Sequence, residues 1–472
     1  MSTQSFNKAY VWVIAAVAAT GGLLFGFDTG VISGAIPFLR DLGGMGLNDS
    51  QVENITAFGL IGAVAGALFS GRITDIFGRK KVILVAAVIF ATGAYWSGAA
   101  SSVTSLLWSR FYLGLAIGAA SFATPLYIAE ISPTKIRGTL VSMFQLLITV
   151  GILASYLSDA AIAEDGNPES WRMMFYVGVI PALILLIGMA FLPETPRWLM
   201  SKGREDEARK VLEKIEDPSS REVSIQQMKD EINKDAEQMG WSEVFKPWLR
   251  NAMIIAVGIM FFQQFVGINT VIYYSPDIFL KAGFDGNEAA IWASVSVGVI
   301  NVLFTILSLY LIDSMGRRKL FFLGTAGIII SLFFMGLGFA LQDTLGGMTK
   351  WVLVGSMLCY IAFFAISLGP LGWLFVTEVF PLKVRGLGAS IGSLANWGFN
   401  TLVVWTFFKM IGGFNSIFGS ESMGTASAFW VFGIMGVLAL IWGNKFLPET
   451  KGISLEKIEE HWRKGGKPSE LK

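Results

Sequence analysis

The sequence predicts an all-α membrane protein of twelve transmembrane helices in two halves of six, and three observations carry that prediction. The first is composition. Of 472 residues, 53% are hydrophobic and 15% charged, with a mean hydropathy of +0.59. A soluble domain carries about 25% charged residues, so this much apolar surface does not fit inside one soluble core. The second is a series of apolar runs of about 20 residues, the length that spans a hydrocarbon core of about 30 Å. The third is a duplication. Asp75-Ile-Phe-Gly78-Arg79-Lys80 returns as Asp313-Ser-Met-Gly316-Arg317-Arg318. Glu130 with Arg137-Gly138 returns as Glu378 with Arg385-Gly386, and Pro193-Glu194-Thr195 returns as Pro448-Glu449-Thr450. The order is the same both times, and each member lies at the end of an apolar run.

Taken in order, the first six spans lie near 10–35, 54–72, 82–100, 105–130, 138–160 and 173–192. Six more lie near 252–280, 289–312, 319–341, 350–378, 386–410 and 426–447. Backbone groups in lipid must be satisfied within the segment, so these runs are helices; they are too long and too uniformly apolar for barrel strands. Tyr10–Leu39 exceeds the 7–15 apolar residues, roughly, of a signal peptide and reads as a first span. The chain therefore divides into a first bundle (1–195), a polar linker (196–248), a second bundle (249–450) and a tail (451–472). Within the linker, Glu205–Glu216 is amphipathic, with Ala208, Val211, Leu212 and Ile215 on one face. Pro218 is expected to end it and a second helix to start near Ser224. The linker is either a solvated connector or a brace for a closed inner gate.

Basic residues orient the spans. One set of loops holds Arg72, Arg79, Lys80, Lys81, Lys135, Arg137, Arg317, Arg318, Lys319, Lys383 and Arg385. The opposite loops hold Arg40, Lys281 and Lys350 among the acids Asp41, Asp49, Glu164, Asp165 and Glu169. Positive charge stays inside, which puts both termini in the cytoplasm.

Several function classes drop out. A net charge of +1 and a pI of about 7.7 give no general basicity for nucleic acid. Cys359 is the single cysteine and His461 the single histidine, in the polar tail, so neither disulfide, metal site nor cofactor is expected. No nucleophile elbow or phosphate-binding loop occurs, which argues against an enzyme and against ATP-driven transport. Two matched membrane halves with charged clusters on one side are instead the build of a secondary transporter.

At the level of motifs, Gly71-Arg-Ile-Thr-Asp75-Ile-Phe-Gly78-Arg79-Lys80 resembles the loop 2–3 signature of the major facilitator superfamily. Pro193-Glu-Thr-Pro-Arg-Trp198, Gln263-Gln-Phe-Val-Gly-Ile-Asn269, Tyr273-Tyr274 and Pro448-Glu-Thr-Lys-Gly452 resemble its sugar porter branch. The ordered set covers nearly the whole chain. The resemblance implies two six-helix bundles, each of two inverted three-helix repeats, rocking about a midplane sugar site in a monomer. Gln145-Leu-Leu-Ile-Thr-Val-Gly-Ile152 and Tyr156-Leu-Ser-Asp159 are most similar to bacterial galactose/glucose–proton symporters, with xylose–proton symporters close. That implies a multi-pass protein of a bacterial plasma membrane.

A sugar presents hydroxyls and apolar C–H faces, and is held by amides that both donate and accept and by flat aromatic surface. Gln263, Gln264 and Asn269 lie in the seventh span at spacings that do not make one helical stripe. A break at Gly267 would let them converge. Gln145, Asn301 and Asn396 add amides from the fifth, eighth and eleventh spans. Trp373 follows Gly369-Pro-Leu-Gly372, an expected kink, and offers an aromatic face. Intramembrane amides also serve simply to join helices. The resemblance marks all seven as sugar-contacting positions, and Phe25, Tyr273 and Trp397 as apolar wall. Ile152 stands where pentose symporters of the family can carry Gln, which favours a hexose such as galactose or glucose over xylose.

Asp28 lies in the middle of the first span, where an ionised Asp costs about 2.5–3.5 kcal/mol. Its expected partner is Arg110 in the fourth span, and the resemblance implies the same pair and reads an acid at position 28 as typical of proton symporters. If rocking changes the Asp28–Arg110 distance, proton affinity differs between states. A static ion pair is the alternative, and with it facilitated diffusion in place of symport. Uptake of myo-inositol or another polyol is a further alternative. The inner-face charges are Arg72, Asp75, Arg79, Glu130, Arg137, Glu194 and Arg197 in the first half. In the second they are Asp313, Arg317, Arg318, Glu378, Arg385 and Glu449. By resemblance they form salt bridges that hold an outward-open state and break on inward opening.

Overall fold

A computed structural model describes residues 6–133, 136–235, 245–381, 384–453 and 455–471. Lys135 and Lys383, used above for orientation, lie outside the described residues. Among the described residues, twelve helices are long and apolar enough to cross a membrane. Spans 1 to 6 are Lys8–Arg40, Asp49–Phe77, Arg79–Gly98, Val103–Ile131, Arg137–Ile162 and Ser170–Phe191. Spans 7 to 12 are Pro247–Lys281, Asn287–Met315, Arg317–Ala340, Met348–Glu378, Gly386–Phe418 and Glu421–Phe446. The protein is an all-α membrane protein. Large apolar side chains such as Ile180, Ile184, Ile187 and Phe191 on span 6, and Leu303, Ile306 and Tyr310 on span 8, face outward, as a lipid-facing surface requires.

Helix pairing repeats with a shift of six. Spans 2 and 4, 1 and 5, 3 and 4, and 3 and 6 pack in the first half; spans 8 and 10, 7 and 11, 9 and 10, and 9 and 12 pack in the second. The halves meet through spans 1 and 7, 2 and 11, and 5 and 8. Span 1 approaches span 5 closely along Gly22, Gly26, Gly30 and Gly34. A Cβ on Gly26 would sit 1.9 Å from the Ile148 carbonyl oxygen, and one on Gly34 would sit 2.5 Å from an Asp159 oxygen. Without a hydrophobic drive between helices in lipid, backbone approach of this kind supplies the packing energy.

Two interruptions shape the centre. Gly267 adopts a left-handed conformation (φ +88°) and divides span 7 into Arg250–Phe265 and Ile268–Lys281. Span 10 divides at Ser367 (φ −125°, ψ −96°), between Met348–Ile366 and Leu368–Glu378. The break thus falls just before Gly369-Pro-Leu-Gly372 rather than within it, because Pro370 sits in the first turn of the new helix, where its missing N–H costs nothing.

The linker forms the helices Pro196–Ser201, Glu205–Ile215 and Pro218–Asp235. Ala208, Val211, Leu212 and Ile215 are buried as their periodicity predicts. Pro218 does not merely end the amphipathic helix; it opens the next one, which starts there and not near Ser224. A proline at the first helical position is already set to the helical φ. The tail helix Leu455–Arg463 docks on span 10, with the buried Trp462 Nε1 donating to the Val379 carbonyl at 3.0 Å.

Candidate substrate and proton site

The break at Gly267 brings the span 7 amides together. Asn269 Nδ2 donates to Gln264 Oε1 at 2.6 Å, and Gln264 Nε2 to Gln263 Oε1 at 3.3 Å. Asn396 Nδ2, from span 11, also donates to Gln263 Oε1, at 2.6 Å. Gln263 Nε2 then donates to the carbonyls of Leu368 (2.7 Å) and Gly369 (3.0 Å), at the start of the second helix of span 10. One chain of amides therefore runs through both interrupted spans. Gly372 lies against it, and a Cβ there would sit 2.6 Å from Gln263 Nε2.

Around this chain, Phe25 of span 1 lies 5.0 Å from Trp397 of span 11, centroid to centroid, which places an aromatic contact between the halves. Tyr273 is buried and faces Thr29 and Asn400. Trp397 Nε1 and Asn400 Oδ1 are buried and make no hydrogen bond among the described residues. The sequence reading passes over Asn400; the signal for it is its spacing of four from Asn396, which puts both on one helix face. Asn301 is buried in span 8. Gln145 and Trp373 are half-buried in spans 5 and 10, and among the described residues no hydrogen bond ties either to the amide chain.

Asp28 and Arg110 form the expected pair. Nη1 meets Oδ1 at 2.5 Å and Nη2 meets Oδ2 at 2.8 Å, a bidentate fork with both residues buried. The Arg110 guanidinium also lies 5.7 Å from the Phe175 ring centroid. Both members belong to the first half, on spans 1 and 4.

The inner-face charges resolve into two matching clusters, one per half. Arg79 reaches Glu130 at 3.0 Å and Asp75 at 3.1 Å, and donates to the Thr74 carbonyl at 3.1 Å. Arg317 reaches Glu378 at 3.1 Å and Asp313 at 3.6 Å, and donates to the Ile312 carbonyl at 3.3 Å. Glu194 accepts the backbone N–H groups of Arg79, Lys80 and Thr195, while Glu449 accepts those of Arg317 and Arg318. Each acid thus caps the first turn of span 3 or span 9, where free N–H groups and the helix dipole favour a carboxylate. Gly78 (φ +101°) and Gly316 (φ +86°) precede these turns, and a Cβ on either would strike the capping acid, at 2.2 Å and 2.7 Å. Burial pushes the Glu194 carboxyl above its usual range, and the three N–H groups pull it back. Thr195 and Thr450, which the sequence reading does not single out, donate to Glu130 (2.6 Å) and Glu378 (2.5 Å). Trp198 Nε1 donates to the Asp75 carbonyl at 3.0 Å. Arg318 donates to the Asn444 carbonyl and Arg137 to that of Ser132. Arg72 is exposed, Arg197 lies in the first linker helix, and Arg385 stands where span 11 begins.

These bridges are formed while the halves are joined at the opposite ends of the spans. There Arg40 contacts Asp277, Lys409 contacts Glu53, and Asp165 accepts the N–H groups of Asn287 and Glu288. The bridges named here join partners within one half: Asp75, Arg79, Glu130 and Glu194 in the first, and Asp313, Arg317, Glu378 and Glu449 in the second.

Comparison with known proteins agrees with this architecture. A family model described as Sugar (and other) transporter matches residues 14–462. The glucose transporter GlcP of Staphylococcus epidermidis is 39% identical over 457 residues, covering 97% of this chain and 98% of that protein. The galactose-proton symporter of Escherichia coli K12 is 38% identical over 473 residues, covering 98% and 97%. Among solved structures, the proton:xylose symporter XylE bound to 6-bromo-6-deoxy-D-glucose superposes with a TM-score of 0.80 at 35% identity, over 97% of this chain and all of that one. The inward open conformation of XylE from E. coli gives 0.78 at 34% identity, over 96% of this chain. With the matched model spanning nearly every residue of both bundles, the chain belongs to the sugar transporter family of the major facilitator superfamily.

Proposed function

We propose that this protein takes up a monosaccharide together with a proton by alternating access, with a hexose such as galactose or glucose as the favoured substrate. The observation that carries the reading is the amide chain Asn269–Gln264–Gln263–Asn396, anchored on the broken backbone of span 10. Amides in this geometry exchange partners readily: each bond to a neighbour is replaced by one to a sugar hydroxyl, which both donates and accepts. Gln145, Asn301 and Trp373 complete the site from spans 5, 8 and 10, and Phe25, Tyr273 and Trp397 form its apolar wall. Asp28 carries the proton, and Arg110, which stays charged throughout, holds the carboxylate in place when the proton has left. A proton-motive force of roughly 150 mV supplies about 3.5 kcal/mol, enough for a few-hundred-fold accumulation at one proton per sugar. The two inner clusters brace the ends of their own halves, so that each half moves as a body. The protein acts as a monomer in a bacterial plasma membrane with both termini in the cytoplasm, and its galactose-proton, glucose and xylose relatives support the substrate class.

Purified protein in sealed vesicles tests the reading. An inward proton gradient is imposed with and without uncoupler, for glucose, galactose, xylose and myo-inositol in turn. Uphill accumulation that collapses with uncoupler is expected, strongest for a hexose. Equilibration without accumulation would make this a uniporter, and strongest uptake of inositol would change the substrate.

A further inference from the structure

The outer seam between the halves contains a contact that the transport reading does not use. Glu53, on span 2, is fully buried at 0% exposure. Its Oε1 accepts the backbone N–H groups of Phe408 (2.6 Å) and Lys409 (3.1 Å), in the middle of span 11, and its Oε2 lies 3.1 Å from Lys409 Nζ. In an uninterrupted helix those two N–H groups bond to the carbonyls of Val404 and Trp405. Here Tyr274 Oη reaches the Val404 carbonyl at 3.4 Å and Lys409 Nζ takes that of Trp405 at 2.9 Å. A carboxylate of one half thus accepts two backbone N–H groups of a continuous helix of the other.

The surroundings mark this seam as one built to part. Ser33 meets Ser275 at 3.3 Å across the halves, Ser275 donates to Ser294 at 3.0 Å, and Tyr156 Oη donates to the Ile272 carbonyl at 2.7 Å. Hydroxyls and charges on facing surfaces take up water on separation, whereas two apolar faces would pay the full cost of wetting. Within the seam the contacts are unequal. Arg40–Asp277 crosses it with the acid 8% exposed, and Glu53–Lys409 with the acid 0% exposed. Glu53 is the acid fully out of solvent, where bonds of a carboxylate to backbone N–H groups are strong, while its ion-pair partner Lys409 is half exposed.

We propose that Glu53 is a gate-positioning residue: its insertion into span 11 holds the outer path shut, and its withdrawal is a required step of outward opening. On withdrawal, the Phe408 and Lys409 N–H groups remain within the continuous helix of span 11, and water solvates the Glu53 carboxylate and the Lys409 ammonium. The backbone therefore has partners in both states. The proposal rests on the alternating access of the transport reading, but no step of it involves sugar or proton, so labelling without sugar or gradient tests it apart from uptake.

The test uses the full chain in right-side-out proteoliposomes, with Cys359→Ser and a reporter at Ser33→Cys, probed from outside with a membrane-impermeant, positively charged methanethiosulfonate. Glu53→Ala is expected to raise the labelling rate by about tenfold, the size of effect that losing buried charge-assisted bonds has on an equilibrium. Glu53→Gln, which keeps an acceptor for the two N–H groups, and Lys409→Met, which keeps the carboxylate, are expected to raise it less. Ser275→Cys serves as a second reporter, and the Gln and Met variants decide the matter where the Ala variant does not fold. A purely structural role lowers the melting temperature and leaves the folded fraction labelling at the parental rate. Equal rates in the parent and all folded variants would overturn the proposal.

Discussion

Asp28 and Arg110 bury opposite charges face to face, and removing either partner leaves the other uncompensated in a place where water is scarce. Such truncations cost about 3–5 kcal/mol when the surviving charge stays buried. Asp28→Asn keeps the shape and one acceptor while abolishing the titrating group. The expected outcome is loss of uphill accumulation with sugar exchange across the membrane retained, measured as counterflow in vesicles at equal pH. Accumulation that persists in this variant would remove Asp28 from coupling. Gln263 is the branch point of the amide chain, bonded to Gln264, Asn396 and two carbonyls. Gln263→Ala leaves several buried polar groups without a partner, each worth about 1–3 kcal/mol. Sugar affinity is expected to fall by roughly 10–100-fold, read by tryptophan fluorescence or calorimetric titration. Both residues are legible in the sequence because a charge or a run of amides inside an apolar span is costly unless it has work to do. Glu53 is not, because an acid so near the start of a span reads as interfacial. Its partner Lys409 lies in another half of the chain, and nothing local links the two.

The interruptions of spans 7 and 10 are the elements on which the site depends. Gly267 combines φ +88° with a neighbour, the Phe432 ring, that a Cβ would meet at 2.4 Å. Gly267→Ala is expected to cost about 1–3 kcal/mol through backbone strain and to disperse the amides. A lowered melting temperature together with weakened sugar binding would show it; an unchanged pair of values would not fit the break described here. The sequence announces this break, since a glycine amid amides with no common face makes sense only if the helix stops there. The break at Ser367 is less visible. Pro370 draws attention to itself, yet the helix yields three residues earlier, where the change of direction leaves proline in a first turn. The same misjudgement affects Pro218, read as a stop signal when it is a start. Proline marks a boundary, and deciding which side of it the helix lies on requires the packing of its neighbours. The acids of the two Pro-Glu-Thr segments show the reverse case: their charge is conspicuous in the sequence, but their task as caps for spans 3 and 9 depends on turns more than a hundred residues away.

At the scale of the whole molecule, the two halves share one pairing scheme and touch along three lines, joined by polar contacts at the outer ends. The halves themselves are legible from the repeated signatures, because duplication writes the same charges at the same helix ends. The state of the molecule is not, since both states use the same residues. A tether tests the rocking motion directly. Ser33→Cys with Ser275→Cys, in a Cys359→Ser background, places two thiols where the hydroxyls now stand 3.3 Å apart. Oxidation is expected to stop transport and reductant to restore it; transport that survives a demonstrated cross-link would contradict separation at this seam. One further result follows from the location of the ion pair. Asp28 and Arg110 belong to the same half, on spans 1 and 4. Two rigid bodies that pivot do not stretch a bond that lies wholly within one of them. Under such a pivot the separation between carboxylate and guanidinium is a constant of the cycle, not its variable. What alternates under such a pivot is access to the pair, and the proton is metered as by a valve, through admission, and not as by a spring.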